Sequence, residues 1–156
     1  MSPRTIINRT ILRVCAVFAL SLVTTSAVWA ACSDTAAPDV DWSGCDLSGV
    51  DLYDVDLSRV NLEGANLSDA NLESANLYKA NLTDANLTRA NLTRANVSSA
   101  ILTGANLTGA NLTKTHFMNS NLTGADLTDA ILTEAIFHSA IGPDGALCTQ
   151  VVGACK

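Results

Sequence analysis

The side chains in this sequence best able to do chemistry are its five cysteines. Cys15 falls in an N-terminal leader, which leaves Cys32, Cys45, Cys148 and Cys155 in the rest of the chain. Four cysteines allow three pairings, and their placement, two towards each end, favours Cys32–Cys45 and Cys148–Cys155. The alternative for Cys45 is a buried free thiol. A zinc site is disfavoured, because neither pair has the spacing of about two to four residues that zinc knuckles use.

No other side chains form a catalytic arrangement. The sequence has no Ser-His-Asp, Cys-His or paired-carboxylate pattern and no glycine-rich phosphate loop. The nearest approach is Asp51, Asp54 and Glu73, which would have to act like the carboxylate cluster of a polysaccharide-cleaving β-helix. A solvated acidic face is the simpler interpretation. We therefore expect no enzyme activity, no cofactor and no metal.

The N-terminal segment 1–30 has the pattern of a secretory signal peptide. Three arginines and no acidic residue accompany an apolar run over 14–23, and Val28-Trp29-Ala30 offers a cleavage site after Ala30. The run is short for a retained anchor, because a membrane helix needs about 20 apolar residues. We predict export to the periplasm or the exterior. Lipid attachment at Cys32 is the alternative, disfavoured because Trp29 is a poor occupant of a lipoprotein processing box.

Removal of the leader makes the chain strongly acidic. The sequence has 15 acidic and 9 basic residues, and three of the basic ones are the leader's arginines, so the formal charge falls from −6 to −9. Contact with phosphates needs a basic patch. The composition therefore excludes direct binding to nucleic acid or to an anionic membrane surface, and we expect the partner to be another protein. It leaves the oligomeric state open.

A five-residue repeat fills most of the remaining chain. From Val40 to Ser139 the sequence divides into 20 repeats without an insertion, and such periods decide the fold before any other pattern. The centre of the repeat is Leu in 16 cases, and the residue two positions earlier is Ala in 13. Asn or Asp lies between them almost every time.

This period suits neither a helix nor a flat strand. Five helical residues advance about 500°, so successive leucines would wander around the axis. In a strand, an odd period would turn every second repeat to the wrong face. The pattern works if the chain bends after each short extended segment, with both apolar side chains pointing inward. Four bends close a square coil of four repeats, and stacked coils form a solenoid.

Repeats such as Ala65-Asn66-Leu67-Ser68-Asp69 resemble the motif of the pentapeptide-repeat family. The resemblance covers about two-thirds of the chain. It implies an all-β fold, a right-handed quadrilateral β-helix of about five coils over 40–139. At about 4.8 Å between stacked strands, the rod would be roughly 24 Å long. The rest of the chain is then a signal peptide at 1–30, an N-terminal linker or cap at 31–39, and a C-terminal cap at 140–156 with a disulfide loop.

One stretch near the C-terminal end departs from the repeat. Thr115 and Ser120 replace Ala at inward positions, over a predicted stack of Phe117 on Phe137. Apolar and histidine side chains also replace outward Asn and Thr, and we call them the partner patch: His116, Met118, Ile131, Ile136 and His138. Grouped exposed apolar residues mark contacts. The alternatives are drift in a tolerant repeat, or coverage by the C-terminal tail. A metal held by the two histidines is disfavoured, because no carboxylate or thiol accompanies them.

These observations predict an exported, non-enzymatic structural or protein-binding module of the cell envelope. The alternative comes from the family resemblance, because some pentapeptide-repeat proteins imitate duplex DNA and bind type II topoisomerases. The leader argues against that alternative. So do the amides that replace carboxylates along the middle of the repeats, and the lack of a long helical dimerisation tail.

Overall fold

The computed structural model describes residue 32 and residues 34–148. Within this part of the chain there is no helix and no strand longer than one residue. Instead, single-residue β-bridges recur once per repeat, each followed by an extended residue and a two-residue turn. The leader predicted at 1–30 and the residue Cys155 lie outside the described residues.

Parallel bridges join each repeat to the fourth repeat after it, from Asp41↔Asn61 at one end to Asn121↔Ile141 at the other. The chain therefore completes one coil in every four repeats, as the sequence predicts. The coil has four sides of one repeat each. We number them face 1 (repeats starting at 40, 60, 80, 100, 120 and 140), face 2 (from 45), face 3 (from 50) and face 4 (from 55), each recurring once per coil.

Main-chain hydrogen bonds connect each coil to the next in a fixed register. The Leu67 N–H donates to the Asn86 carbonyl at 2.7 Å, and the Asn86 N–H donates back to the Ala65 carbonyl at 2.9 Å. Between repeats, the Ala70 N–H donates to the Leu67 carbonyl at 3.1 Å. The turn residue before Ala70 is Asp69, with a φ of 58°. A turn residue with φ near +60° bends the chain and so forms a corner of the coil.

The interior is a column of leucines and alanines. Leu87 and Ala85 are wholly buried, like their equivalents in the neighbouring coils. Phe117 and Phe137 replace leucine in two successive coils of face 4, and their rings stack in parallel with centroids 4.8 Å apart. This confirms the predicted aromatic stack. The two rings fit the interior by lying flat on one another.

The N-terminal end is closed by the segment before the repeats. Cys32 and Cys45 form a disulfide with Cα atoms 5.6 Å apart. Trp42 is only 1% exposed and fills the first coil. The Asp39 N–H donates to the Ser58 carbonyl at 3.0 Å, so the cap residue Asp39 already holds the register of face 4.

At the C-terminal end the register continues one repeat beyond the predicted boundary at 139. Ile141 bridges Asn121 in parallel and then pairs antiparallel with Leu147, so the chain folds back over the last coil. Gly142 stands at the leucine position. A Cβ there would lie 3.4 Å from the Cys148 sulfur, so Cys148 occupies the space of the missing side chain. Cys148 is disulfide-bonded, and its predicted partner, Cys155, lies outside the described residues.

Candidate functional site

Side-chain amides form a hydrogen-bonded ladder through the first three coils of each face. On face 2, Asn66 Nδ2 donates to Asp46 Oδ1 at 3.0 Å, and Asn86 Nδ2 donates to Asn66 Oδ1 at 3.0 Å. The three other faces begin in the same way, with an Asn donating to an Asp of the first coil. An Asp suits that first place because a carboxylate only accepts hydrogen bonds. The ladder explains why Asn or Asp recurs between the two apolar positions.

The same amide oxygens also fix the turns. Asn86 Oδ1 accepts a hydrogen bond from the Thr88 N–H at 3.2 Å and another from the Thr88 hydroxyl at 2.6 Å. Equivalent contacts recur in neighbouring repeats. These outward Asn side chains are therefore engaged in hydrogen bonds of the scaffold itself.

Charged side chains pair along the rod. Arg89 makes two hydrogen bonds to Asp69, at 2.8 and 2.6 Å, and Lys114 lies 3.5 Å from Glu134. Both pairs lie one coil apart, as the repeat period predicts. The hydrogen bonds from Arg89 lower the pKa of Asp69. Exposed pairs of this kind contribute little to stability, because solvent screens the two charges.

The acidic group at the N-terminal end is likewise engaged by its surroundings. Asp51 Oδ1 accepts hydrogen bonds from the Tyr53 N–H at 3.2 Å and from Asn71 Nδ2 at 2.9 Å. Glu73 accepts a hydrogen bond from Asn91 Nδ2 at 3.3 Å and lies 4.0 Å from Arg94. In the described part of the chain, no group of three His, Cys, Asp or Glu side chains could hold a metal ion. These carboxylates are best explained as parts of the ladders.

Four members of the partner patch lie together on face 4. His116 bridges Ile136, and the Asn119 N–H donates to the His138 carbonyl at 3.1 Å, which places Met118 and His138 one coil apart in one column. Met118 is 37% exposed. The fifth member, Ile131, is 51% exposed but bridges Asn111 on face 3. The described part of the tail, up to Cys148, leaves these side chains accessible.

The two inward polar residues of this region have a structural explanation. The Thr115 hydroxyl is buried and donates to the Leu92 carbonyl at 2.7 Å. The Ser120 hydroxyl is buried as well and donates to the Phe117 carbonyl at 2.7 Å. Because a buried hydroxyl is costly only when it lacks a partner, both residues fit the interior and leave no polar group for a ligand.

The structure adds one residue to the patch that the sequence pattern leaves without a role. Tyr78 lies in the same column of face 4 as Met118, two coils before it, and is 37% exposed. The Lys79 ammonium lies 5.3 Å from the centre of its ring. Ser98, between Tyr78 and Met118, is only 7% exposed. Tyr78, Ser98 and Met118 follow one another at intervals of one coil, so this column can be recognised in the sequence once the coil length is known.

Face 4 also differs from the other faces in charge. Faces 1, 2 and 3 each carry more acidic than basic residues. Face 4, counted from the cap segment upward, holds two of each: Asp39, Asp56, Arg59 and Lys79. Arg59 donates two hydrogen bonds of 2.6 Å to Asp39 and lowers the pKa of that carboxyl. Exposed Tyr78 and Met118 therefore lie on the face with balanced charge, whereas exposed Ile101 lies on face 1 and exposed Tyr53 and Ile131 lie on face 3.

Comparison with known proteins identifies the family. The family profile described as Pentapeptide repeats matches residues 28–64, 65–104 and 100–138. The chain belongs to the pentapeptide-repeat family. Proteins of this family are generally non-enzymatic binding scaffolds. A comparison with curated proteins finds no match, and no helix in the described residues is long and apolar enough to cross a membrane.

Several solved pentapeptide-repeat structures resemble this chain and show the right-handed quadrilateral β-helix. HetL, involved in heterocyst differentiation regulation in the cyanobacterium Nostoc sp. strain PCC 7120, is 40% identical with a TM-score of 0.58; the match covers 69% of this chain and 53% of HetL. This pentapeptide-repeat chain thus matches about half of the length of HetL.

Two further structures extend the comparison. Rfr23 from the cyanobacterium Cyanothece 51142 is 35% identical with a TM-score of 0.53, over 61% of this chain and 82% of Rfr23. QnrB1, a plasmid-mediated fluoroquinolone resistance protein, is 22% identical with a TM-score of 0.60, over 63% of this chain and 47% of QnrB1. At that identity the likeness to QnrB1 concerns the fold alone.

Proposed function

We propose that this pentapeptide-repeat protein is an exported, non-enzymatic module of the cell envelope that binds another protein through face 4. The observation that carries the proposal is the partner patch. On face 4, exposed Met118 and its neighbours His116 and Ile136 replace the Asn, Asp, Ser or Thr side chains that most outward positions of the rod carry. Apolar side chains on a regular polar surface are typical of contact sites.

The charge distribution supports a protein partner for this face. Faces 1 to 3 are net negative, whereas face 4 is balanced, so a partner can approach it without desolvating an excess of carboxylates. Met118 and Tyr78 are residue types enriched in the buried centre of protein interfaces. Ile131 extends the patch across the corner to face 3.

Export is supported by the leader pattern at 1–30 and by the cysteines. Disulfides persist in oxidising compartments such as the periplasm, and the structure contains a Cys32–Cys45 bond. That bond uses the Cys32 sulfur, the same atom that a lipid anchor would need, so we favour a free exported rod over lipid attachment. We propose a rod of five complete coils with a cap at each end.

The test of the contact surface is site-specific photocrosslinking in intact cells. A photoreactive amino acid at position 118 or at position 138 should capture a discrete envelope protein. The double substitution Met118→Asp with Ile136→Asp, tested with the probe at position 138 because position 118 is then occupied by Asp, should remove that product. Matched controls are Thr108→Asp and Ile101→Asp, which occupy the equivalent outward positions on faces 2 and 1. A photoreactive amino acid placed at position 108 should not capture this protein. Capture from position 108, or undiminished capture by the double variant, would refute the assignment of face 4.

The test of export is cell fractionation followed by an intact mass of the unreduced protein. A periplasmic product that begins at Ala31 and contains two disulfides agrees with the proposal. An unprocessed, reduced cytoplasmic product contradicts it. In that case a topoisomerase supercoiling assay with the purified protein becomes the decisive experiment, because the family resemblance includes topoisomerase-binding DNA mimics.

A further inference from the structure

Within the described part of the chain, the last coil ends with an open main-chain edge on face 2. One coil earlier on the same face, the Leu107 N–H donates to the Asp126 carbonyl and the Gly109 N–H to the Thr128 carbonyl, both at 2.8 Å. The register of the rod would pair the next donor, the Leu127 N–H, with the carbonyl of Ala146. The C-terminal hairpin prevents that pairing.

Both main-chain groups of Ala146 are used inside the hairpin. Its carbonyl accepts the Gly142 N–H at 2.8 Å, and its N–H donates to Asp144 Oδ1 at 2.9 Å. Among the described residues, the Leu127 N–H and the Ala125 carbonyl, the two groups that residue 146 would otherwise satisfy, therefore have no partner.

The next donor along this edge is open for the same reason. The Asp129 N–H would pair with the Cys148 carbonyl, but that carbonyl accepts the Ser139 N–H at 3.2 Å. No other described residue accepts from Asp129 N–H. The N–H groups of Leu127 and Asp129 and the carbonyl of Ala125 thus face along the rod axis, beyond the last coil, without a partner among the described residues. This is the hydrogen-bonding pattern of a sheet edge that can receive another strand.

The side chains along this edge are apolar on the inside and acidic on the outside. Leu127 and Ala130 are only partly buried, whereas Leu107 and Ala110, one coil earlier, are fully buried. On the outer side Asp126 and Asp129 are exposed, and neither forms an ion pair with a described residue. An added segment would therefore complete the apolar interior and meet two carboxylates.

We propose that the edge 125–130 of face 2 binds an extended segment of a partner polypeptide, which adds to the rod as the next strand. Its apolar side chains would cover Leu127 and Ala130, and lysine or arginine side chains would lie over Asp126 and Asp129. Main-chain hydrogen bonds give such strand addition its affinity, and the alternating side chains give its specificity. This site is separate from the partner patch on face 4 and does not depend on it.

A second copy of this chain fits the edge less well than a basic segment does. Head-to-tail stacking would place the Asp46 carboxylate of the next copy over Asp126, and the Asp54 carboxylate over Glu134, if the register of the rod continued. Like charges placed directly opposite each other in a sheet are destabilising. The N-terminal end is also covered by its own disulfide-linked cap. Self-association is therefore an outcome that the experiment must be able to reveal.

The experiment measures amide hydrogen exchange of the full exported chain by NMR. The Leu127 and Asp129 amides should exchange faster than the Leu107 and Gly109 amides, which are hydrogen-bonded one coil earlier. Saturation with the synthetic peptide Ala-Lys-Leu-Thr-Lys-Ala-Asn-Leu-Thr-Lys should slow the first two at least about tenfold and leave the other two unchanged. The same peptide with N-methylation at its first lysine, which removes the donor to the Ala125 carbonyl, should not produce this protection.

A charge-reversal variant tests the specificity. Asp129→Lys should fold normally, because Asp129 has a φ of 57° and Lys79 and Lys114 hold equivalent turns at 59° and 60°. It should bind the lysine peptide about fivefold more weakly, the upper range for one exposed ion pair. The matched control, Asp84→Lys, makes the same change of charge on face 1 and should bind as the unsubstituted chain does.

Three results would overturn the proposal. Slow exchange of the Leu127 and Asp129 amides in the free chain would show that the edge is already covered, and sedimentation analysis would then distinguish a second copy from residues 149–156. Peptide binding that leaves both amides unchanged would place the peptide elsewhere. Equal binding of a peptide with glutamate in place of each lysine would refute the charge argument.

Discussion

Removal of the Cys32–Cys45 disulfide should destabilise the N-terminal end of the rod by an amount that follows from its loop length. The two cysteines are 13 residues apart in sequence. The loss of loop-closure entropy in the unfolded chain corresponds to about 3 kcal/mol at 25 °C for a loop of this size. The substitution Cys32→Ser leaves Cys45 in place at its buried core position, so little packing should be lost with the bond.

Trp42 provides the assay for this variant. It is 1% exposed beneath the cap, and it is the second of two tryptophans, the first of which lies in the leader. In the exported chain, its fluorescence during urea unfolding reports on the N-terminal coil alone. The Trp42 transition of Cys32→Ser should move to lower urea by the equivalent of about 3 kcal/mol, whereas circular dichroism, which averages over all coils, should change less.

Addition of a reductant supplies the control. Reduction of the unsubstituted protein should reproduce the Trp42 shift, and reduction of the Cys32→Ser protein should leave the Trp42 transition where it is, because Cys148 belongs to the opposite end. A shift of less than about 1 kcal/mol in Cys32→Ser would refute the loop-entropy argument. It would mean that the cap is held by packing of Trp42 and its neighbours and not by the bond.

The remaining predictions concern the core and the surface charges. Leu87→Ala should lower the free energy of unfolding by about 2–5 kcal/mol, because this side chain is fully buried, and outward Thr88→Ala by about 1 kcal/mol or less; equal losses in urea unfolding would contradict the inward and outward assignment. Arginine hydrogen bonds lower the pKa values of Asp39 and Asp69 in the folded state. Their contribution to stability is therefore complete above the unfolded pKa, near 4, and is lost as the pH falls through the lower folded pKa. The thermal midpoint should decrease as the pH is lowered below about 4, and Arg89→Gln should make this decrease smaller. A midpoint independent of pH would contradict the argument.

The repeat predicts the coil, the faces and the inward residues well, because every element of the fold is local. One repeat decides each extended segment and its turn, and a coil contacts only its neighbours. The vertical pairs Asp69–Arg89 and Lys114–Glu134 form for this reason, because the two partners of each pair lie one coil apart in the sequence. Thr115 and Ser120 are harder to interpret from sequence, since their hydroxyls hydrogen-bond to carbonyls of the main chain that no side-chain pattern displays.

The ends of the rod show the limit of the pattern. The repeat signal stops at Ser139, yet Ile141 continues the register of face 1. Gly142 and Pro143 break the consensus, but main-chain hydrogen bonds still form there, because the Leu122 N–H donates to the Ile141 carbonyl at 2.8 Å. The chain leaves the coil where hydrogen bonds within the C-terminal hairpin replace hydrogen bonds to the preceding coil. The amino-acid composition alone does not show at which residue this replacement occurs.

The repeating unit, the four-repeat coil and the division of each repeat into buried and exposed positions can all be read from the residue pattern, since they depend on a few neighbouring residues and on solvent. Which exposed residues meet is settled by the stacking of the coils. Stacking joins Tyr78 to the column of Met118 and places Ile131 around a corner. It also lets the described part of the tail fold back at Ala146, so that no residue among 34–148 pairs with the Leu127 N–H. These outcomes depend on contacts between residues distant in the chain, and such contacts exist only once the coils have stacked.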